Sequence, residues 1–256
     1  MANLVFSSLA WRRLNVRVGR FEPASLAFSD KRRLSVAPYE IYDYAFPGGP
    51  AFSDTQTGIE ATGYRWSGFS YAAGWVNGTD NGFLDDSPSD FYMRAQQVLG
   101  AGEGMTAGQR VGLVGYWGKA RPEGLASSAP REGFQRWGVD ASLNLRQTNL
   151  ALQYLRGKDA AELWPSAPGS VSFRGGFAEL THMPATNLVG FLRYDAVNTA
   201  TWLNADVRRW TAGVRYYPVD QVALHVEYSR RTQDPGMEVT AQQKETMLTA
   251  RADLAF

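Results

Sequence analysis

His182 and His225 are the only histidines in the chain, and cysteine is absent. Disulfides, thiolate metal sites and covalently attached haem are therefore excluded. A Ser–His–acid hydrolase needs a histidine that can reach one particular serine. Nothing around His225 singles such a serine out, and His182 falls in a short turn, so no catalytic residue is assigned. The stretch "GAGEGMTAG" (Gly100–Gly108) has a nucleotide-loop look. It joins two strand-like segments instead of opening a helix, so it lacks the geometry that cradles phosphate. The acidic stretch "NGTDNGFLDDSPSD" offers Asp80, Asp85, Asp86 and Asp90 to a calcium ion. Pro88 stands where an EF-hand needs its bidentate glutamate, so a solvated loop is expected, and no cofactor or metal.

What remains is charge placed at every second residue. In "RRWTAGVRYYPVDQVALHVEYSRR" (Arg208–Arg231), Trp210, Ala212, Val214 and Tyr216, then Val222, Leu224, Val226 and Tyr228, share one parity. Arg209, Arg215, His225 and Glu227 take the other. The alternation recurs in "FQRWGVDASLNL", "SVSFRGGFAEL", "NLVGFLRYDA", "LNVRVGR" and "TMLTARADLAF". Strict alternation is the mark of a strand with two unlike faces, and no segment shows a helical period of similar strength. It predicts twelve strands near 13–21, 56–64, 67–77, 90–98, 109–117, 134–145, 147–156, 170–180, 187–197, 208–217, 221–231 and 244–256. No composition shift divides them, so residues 1–256 are read as one domain. Arg17, Arg136, Arg174, Arg193, Arg215 and Arg251 fall on the polar parity with Asp140, Asp195, Glu227 and Asp253, as do Arg94, Arg110, Arg209 and Glu60.

Mean hydropathy is −0.32, net charge +1, and aromatic residues make up 13% of the chain. So small a charge argues against nucleic acid as a partner. No run reaches the roughly 18 apolar residues of a membrane helix, and "MANLVFSSLAWRR" makes a poor signal peptide. Export would require an N-terminal portion beyond this sequence. The connections nonetheless alternate between tight turns and long polar loops, as in outer-membrane barrels. Aromatic residues collect at strand ends, and Phe256 closes an alternating strand. A spanning sheet in hydrocarbon must satisfy its own backbone and so closes into a barrel. Such a barrel turns apolar side chains to lipid and wets its polar face inside, whereas a soluble barrel does the reverse. The expectation is an all-β, transmembrane, antiparallel up-and-down β-barrel in the bacterial outer membrane, with lipid as its surroundings.

The segment between the first two predicted strands, "EPASLAFSDKRRLSVAPYEIYDYAFPGGPAFSDT", exceeds the ordinary loop length of about 12–15 residues. It is read as a long loop folded into the barrel, with Lys31, Arg32 and Arg33 at the pore constriction. "VRVGRFEP", this long segment, and then "TGIEATGYRWSGFSYAAGWVNGTDNG" together resemble the phosphate-selective (porin O/P-like) superfamily. The matching residues are Gly19, Phe21, Gly58, Tyr71, Gly74, Asn77 and Gly78. The resemblance covers about the first third of the chain and implies a sixteen-stranded, trimeric diffusion channel, of which twelve strands are visible. The simplest account of the difference is a chain lacking its N-terminal strands, and a complete twelve-stranded barrel is the alternative. The functional expectation is a porin for small hydrophilic solutes, with anions favoured by the arginines of the polar face. A barrel sheath around a multihaem cytochrome and an outer-membrane hydrolase are the competing readings.

Overall fold

The computed structural model describes residues 2–29, 33–47, 49–52, 54–65, 67–78, 90–100, 108–121, 130–164, 168–199, 206–219, 221–235 and 241–254. They form one antiparallel sheet of thirteen strands in sequence order, an up-and-down meander. The strands are β1 (Asn3–Ser8), β2 (Leu14–Phe21), β3 (Gln56–Tyr64), β4 (Phe69–Val76), β5 (Asp90–Leu99), β6 (Gln109–Ala120) and β7 (Glu132–Leu145). They continue with β8 (Thr148–Asp159), β9 (Val171–Ala185), β10 (Leu188–Asn198), β11 (Val207–Val219), β12 (Val222–Gln233) and β13 (Gln243–Leu254). The twelve strands expected are all present. β1 is an addition, joined to β2 through the one-turn helix α1 (Leu9–Arg12). Leu4, Val5 and Phe6 are apolar in succession, so no alternation announces this strand, and all three are exposed.

The connections sort onto two rims. Residues 65–68, 100–108, 146–147, 186–187 and 220–221 join strands on one side, and 22–55, 77–89, 121–131, 160–170, 199–206 and 234–242 on the other. His182 lies on β9, not in the turn, because β9 runs on to Ala185. Pro184 is tolerated there because the β9–β10 register shifts beside it, and Pro218 lies in a similar shift between β11 and β12. A residue without an N–H fits where the ladder is already interrupted.

Burial is inverted relative to a soluble domain. Leu113 is 61% exposed and Val226 55%, whereas Arg193 and Asp195 are 0% exposed and Glu227 1%. Along β7 the pattern is regular: Phe134, Arg136, Gly138 and Asp140 are buried, and Gln135, Trp137 and Val139 exposed. Outward aromatic residues cluster toward the long-loop rim. Trp75 stands opposite Phe91, which stands opposite Trp117, and the Phe91 and Trp117 rings stack at 6.2 Å. Trp210 lies against Tyr194 at 4.5 Å. An apolar belt edged by aromatic residues is the surface a strand presents to hydrocarbon and its headgroup boundary.

The outward face departs from expectation in β9. Val171, Phe173 and Phe177 point inward and are buried, and Arg174 is exposed on the outer face with Ala178 and Leu180. The reason is the long loop: its own aromatic residues occupy the interior here, so the wall facing them is apolar too. Arg174 is therefore not a pore-lining residue.

An arginine placed outward in the middle of the belt, Val226→Arg, is expected to cost about 2–4 kcal/mol of folding free energy in a bilayer. Denaturant unfolding in liposomes measures this, and a negligible cost would put that face in water.

Candidate functional site

The interior is occupied by the described residues of the segment between β2 and β3 (22–55). It carries a one-turn helix, α2 (Glu40–Asp43), and no strand among its described residues. Chain running inside a barrel has no sheet neighbour, yet its backbone N–H and C=O groups still need partners. Wall side chains supply them. Glu227 on β12 accepts hydrogen bonds from the Val36 and Ala37 amides at 2.7 and 3.1 Å. Arg193 on β10 donates to the carbonyls of Ala37 and Pro38, both at 2.8 Å, and Arg209 on β11 reaches Pro38 O at 3.1 Å. Three adjacent strands thus grip one extended stretch around Pro38. Farther along, Arg136 on β7 donates to Pro50 O at 2.8 Å. At the loop's start, Glu60 on β3 accepts from the Ala24 amide at 2.7 Å.

Apart from Arg136, the clamping charges are themselves paired. Arg193 lies 2.7 Å from Asp195 and 3.7 Å from Glu179. Glu40 at the start of α2 joins Arg209 at 2.7 Å and Arg231 at 2.9 Å. Arg17 meets Glu60 at 2.6 Å, and Tyr92 donates to the same carboxylate. Arg94 holds Asp140 through both carboxylate oxygens, at 2.7 and 2.8 Å, the two-pronged geometry that suits a guanidinium. Gly112 makes room for that pair, since a Cβ there would come within 2.6 Å of both Arg94 and Asp140. His225 contacts Glu227 at 3.2 Å and stacks on Phe191.

Apolar packing completes the seat. Tyr39 and Tyr42 of the loop meet Phe177 of β9, with Tyr39 stacked on it at 4.1 Å. Tyr42 also donates to Gln153 Oε1 at 3.2 Å. Burial pushes the Tyr42 and Tyr44 phenols well above their ordinary range, so both stay protonated. Arg136 runs between the Phe52 and Phe134 rings, 4.7 and 5.0 Å from their centroids, which adds cation–π attraction to its carbonyl bond.

Of the residues expected to line a pore, Arg17, Arg136, Asp140, Arg193, Asp195, Arg215, Glu227, Arg251 and Asp253 have the inward parity. Most do not face open water. Arg193, Asp195, Glu227, Arg136 and Asp140 are buried against the loop or one another. Arg215, Arg251 and Asp253 form a more open cluster near the short-turn rim, with Asp253 2.7 Å from Arg215 and 3.0 Å from Arg251. Lys31 and Arg32 lie outside the described residues. Arg33 is part-buried and donates to Val36 O at 2.9 Å, so it braces the clamped stretch. Asp80, Asp85, Asp86 and Phe256 also lie outside the described residues. Asp90 accepts from the Tyr116 hydroxyl and the Lys119 amide, a structural role. No metal-binding group of His, Asp and Glu occurs among the described residues. Glu40 was missed as a site residue, because it is one of several acids in the loop and nothing in the sequence sets it apart. A cavity of about 380 Å³ remains between loop residues Ala24, Leu26 and Ala27 and the wall at Asn15, Thr62, Ser70, Arg94 and Gln96.

No family model and no curated protein matches this sequence. Solved structures do share its architecture. The anion-selective porin from Comamonas acidovorans superposes with a TM-score of 0.71 at 14% identity, over 94% of this chain and 74% of that one. The outer membrane channel DcaP of Acinetobacter baumannii gives 0.65 at 13% identity, over 94% and 71%. OmpT of Vibrio cholerae in its trimer form gives 0.58 at 13% identity, over 93% and 74%. The fold is that of the outer-membrane porins.

Arg193→Leu should strand Asp195 and Glu179, free the Ala37 carbonyl and leave that of Pro38 to Arg209 alone, at a cost of about 3–5 kcal/mol. The expected readout is new protease sensitivity within residues 22–55, with an intact sheet by circular dichroism. Unaltered protection would mean that the clamp does not hold the loop.

Proposed function

We propose that the protein is an outer-membrane porin, a passive channel for small hydrophilic solutes that pass between the seated loop and the barrel wall. One observation carries this reading: an apolar belt faces out, while charged and loop-filled structure lies within. A sheet so arranged belongs in hydrocarbon, and its interior offers a polar path across it. The likeness to an anion-selective porin and to other outer membrane channels supports the same function. A homotrimer is the assembly we infer, consistent with the trimer form of one neighbour.

The solutes inferred are small and hydrophilic, with anions preferred. Inward cations and carboxylates largely neutralise each other in pairs, so preference rests on cations left accessible. At the short-turn rim Arg215 and Arg251 share the single carboxylate of Asp253, which leaves one positive charge in excess there, and the Arg251 side chain is 43% exposed. Lys31, Arg32 and Arg33 are assigned to the constriction, because the loop that carries them enters the lumen on either side of them. The resemblance to phosphate-selective porins points the same way, although no anion-binding residue of that superfamily is mapped onto this chain. A cytochrome sheath is disfavoured because the loop already fills the space that a threaded partner needs.

Refolded protein in a planar bilayer is expected to give stepwise ohmic openings, with a reversal potential in a salt gradient that reports anion preference. Substituting Lys31, Arg32 and Arg33 together with alanine should raise conductance or reduce that preference. A silent bilayer would reject the channel, cation selectivity would reject the preference, and an unchanged triple variant would move these residues away from the constriction.

A further inference from the structure

The outer face carries a charge pattern of its own. Every Asp and Glu within the thirteen strands has the inward parity. Arg156, Lys158, Arg174, Arg208, Arg230 and Lys244 have the outward parity and are all exposed. All six stand at the long-loop rim. Arg156 and Lys158 end β8, Arg174 opens β9, Arg208 opens β11, Arg230 lies near the end of β12 and Lys244 begins β13.

Strand register gathers them into two groups. Arg156 stands directly opposite Arg174, and Lys158 opposite Ser172 one step closer to the rim. Arg208 and Lys244 both stand opposite Thr232, with Arg230 two residues away. Like charges directly opposed on a sheet repel, and no carboxylate of the described residues forms an ion pair with any of the six. Each group also adjoins an exposed tryptophan: Trp137 stands opposite Arg156, and Trp210 opposite Arg230. Tryptophan sits at the headgroup level of a membrane boundary, which puts the cations at the depth of lipid phosphates.

We propose that these two groups bind the phosphate-bearing headgroups of an anionic lipid in the outer leaflet, the side on which outer-membrane barrels carry their long loops. Arg156, Lys158 and Arg174 form one seat, and Arg208, Arg230 and Lys244 the other. Planar guanidiniums suit phosphate oxygens because two parallel N–H groups can engage them at once. A bound phosphate also relieves the Arg156–Arg174 repulsion. This rests on the membrane reading above but is separate from the lumen, since none of the six side chains faces it.

The test uses the full chain in phosphatidylcholine nanodiscs doped with a lipid bearing a phosphate monoester. Retained lipid is counted by native mass spectrometry, and tryptophan quenching by a brominated form of that lipid is measured in parallel. The variant Arg156→Gln/Lys158→Gln/Arg174→Gln is expected to weaken binding at the first seat roughly 100-fold, about fivefold per cation lost, so that the retained lipid count falls while the second seat stays filled and single-channel conductance is unchanged. The matched variant Arg208→Gln/Arg230→Gln/Lys244→Gln should lose the second seat alone. Inorganic phosphate at equal concentration is expected not to compete. Undiminished retention in both variants, or equal competition by free phosphate, would overturn the lipid seats while leaving the channel standing. Failure of the wild-type chain to enter nanodiscs would overturn the membrane reading itself.

Discussion

Every peptide group removed from bulk water needs a hydrogen-bonding partner, and the whole arrangement follows from meeting that demand twice. In the wall it is met by antiparallel ladders that join each strand to the next from β1 to β13. Inside, the chain between β2 and β3 has no ladder, and charged side chains of the wall take its place. Glu227 serves the amides of Val36 and Ala37, and Arg193, Arg209 and Arg136 serve the carbonyls of Ala37, Pro38 and Pro50. A buried ion is expensive unless its remaining bonds are filled. Arg193 and Arg209 have both carboxylates beside them and loop carbonyls in front of them, whereas Arg136 has its one carbonyl bond and the flanking Phe52 and Phe134 rings.

This changes the meaning of the inward charges. An alternating strand with Arg193 and Asp195 looks like the lining of a wet tube, yet both side chains are fully buried. They act first as fasteners. Space remains beside Ala24 and Leu26, walled in part by Arg94 and Gln96. The clamps seat the loop that bounds this space even where they do not touch it.

Period-two alternation was enough to read twelve of the strands, because one-sided burial leaves that period in the residues themselves, and the lengths of the connections marked the two kinds of rim and the oversized loop. β1 escaped because Leu4, Val5 and Phe6 carry no alternation. Around β9 the period was correct but the polarity was reversed. Phe173 and Phe177 pack on Tyr44 and Tyr39, so the apolar parity there is the inner one and Arg174 is outside. Sequence order cannot reveal such a reversal, which depends on a loop more than a hundred residues away. The pairing of Glu40 with Arg209 and Arg231 was hidden for the same reason.

The loop is fastened at three separated points, near Ala24, near Pro38 and at Pro50, each to a different part of the wall. These fasteners need not yield together. Losing one of them releases the span beside it and leaves the other two seated, so the segment comes away from the wall in parts and not as a unit.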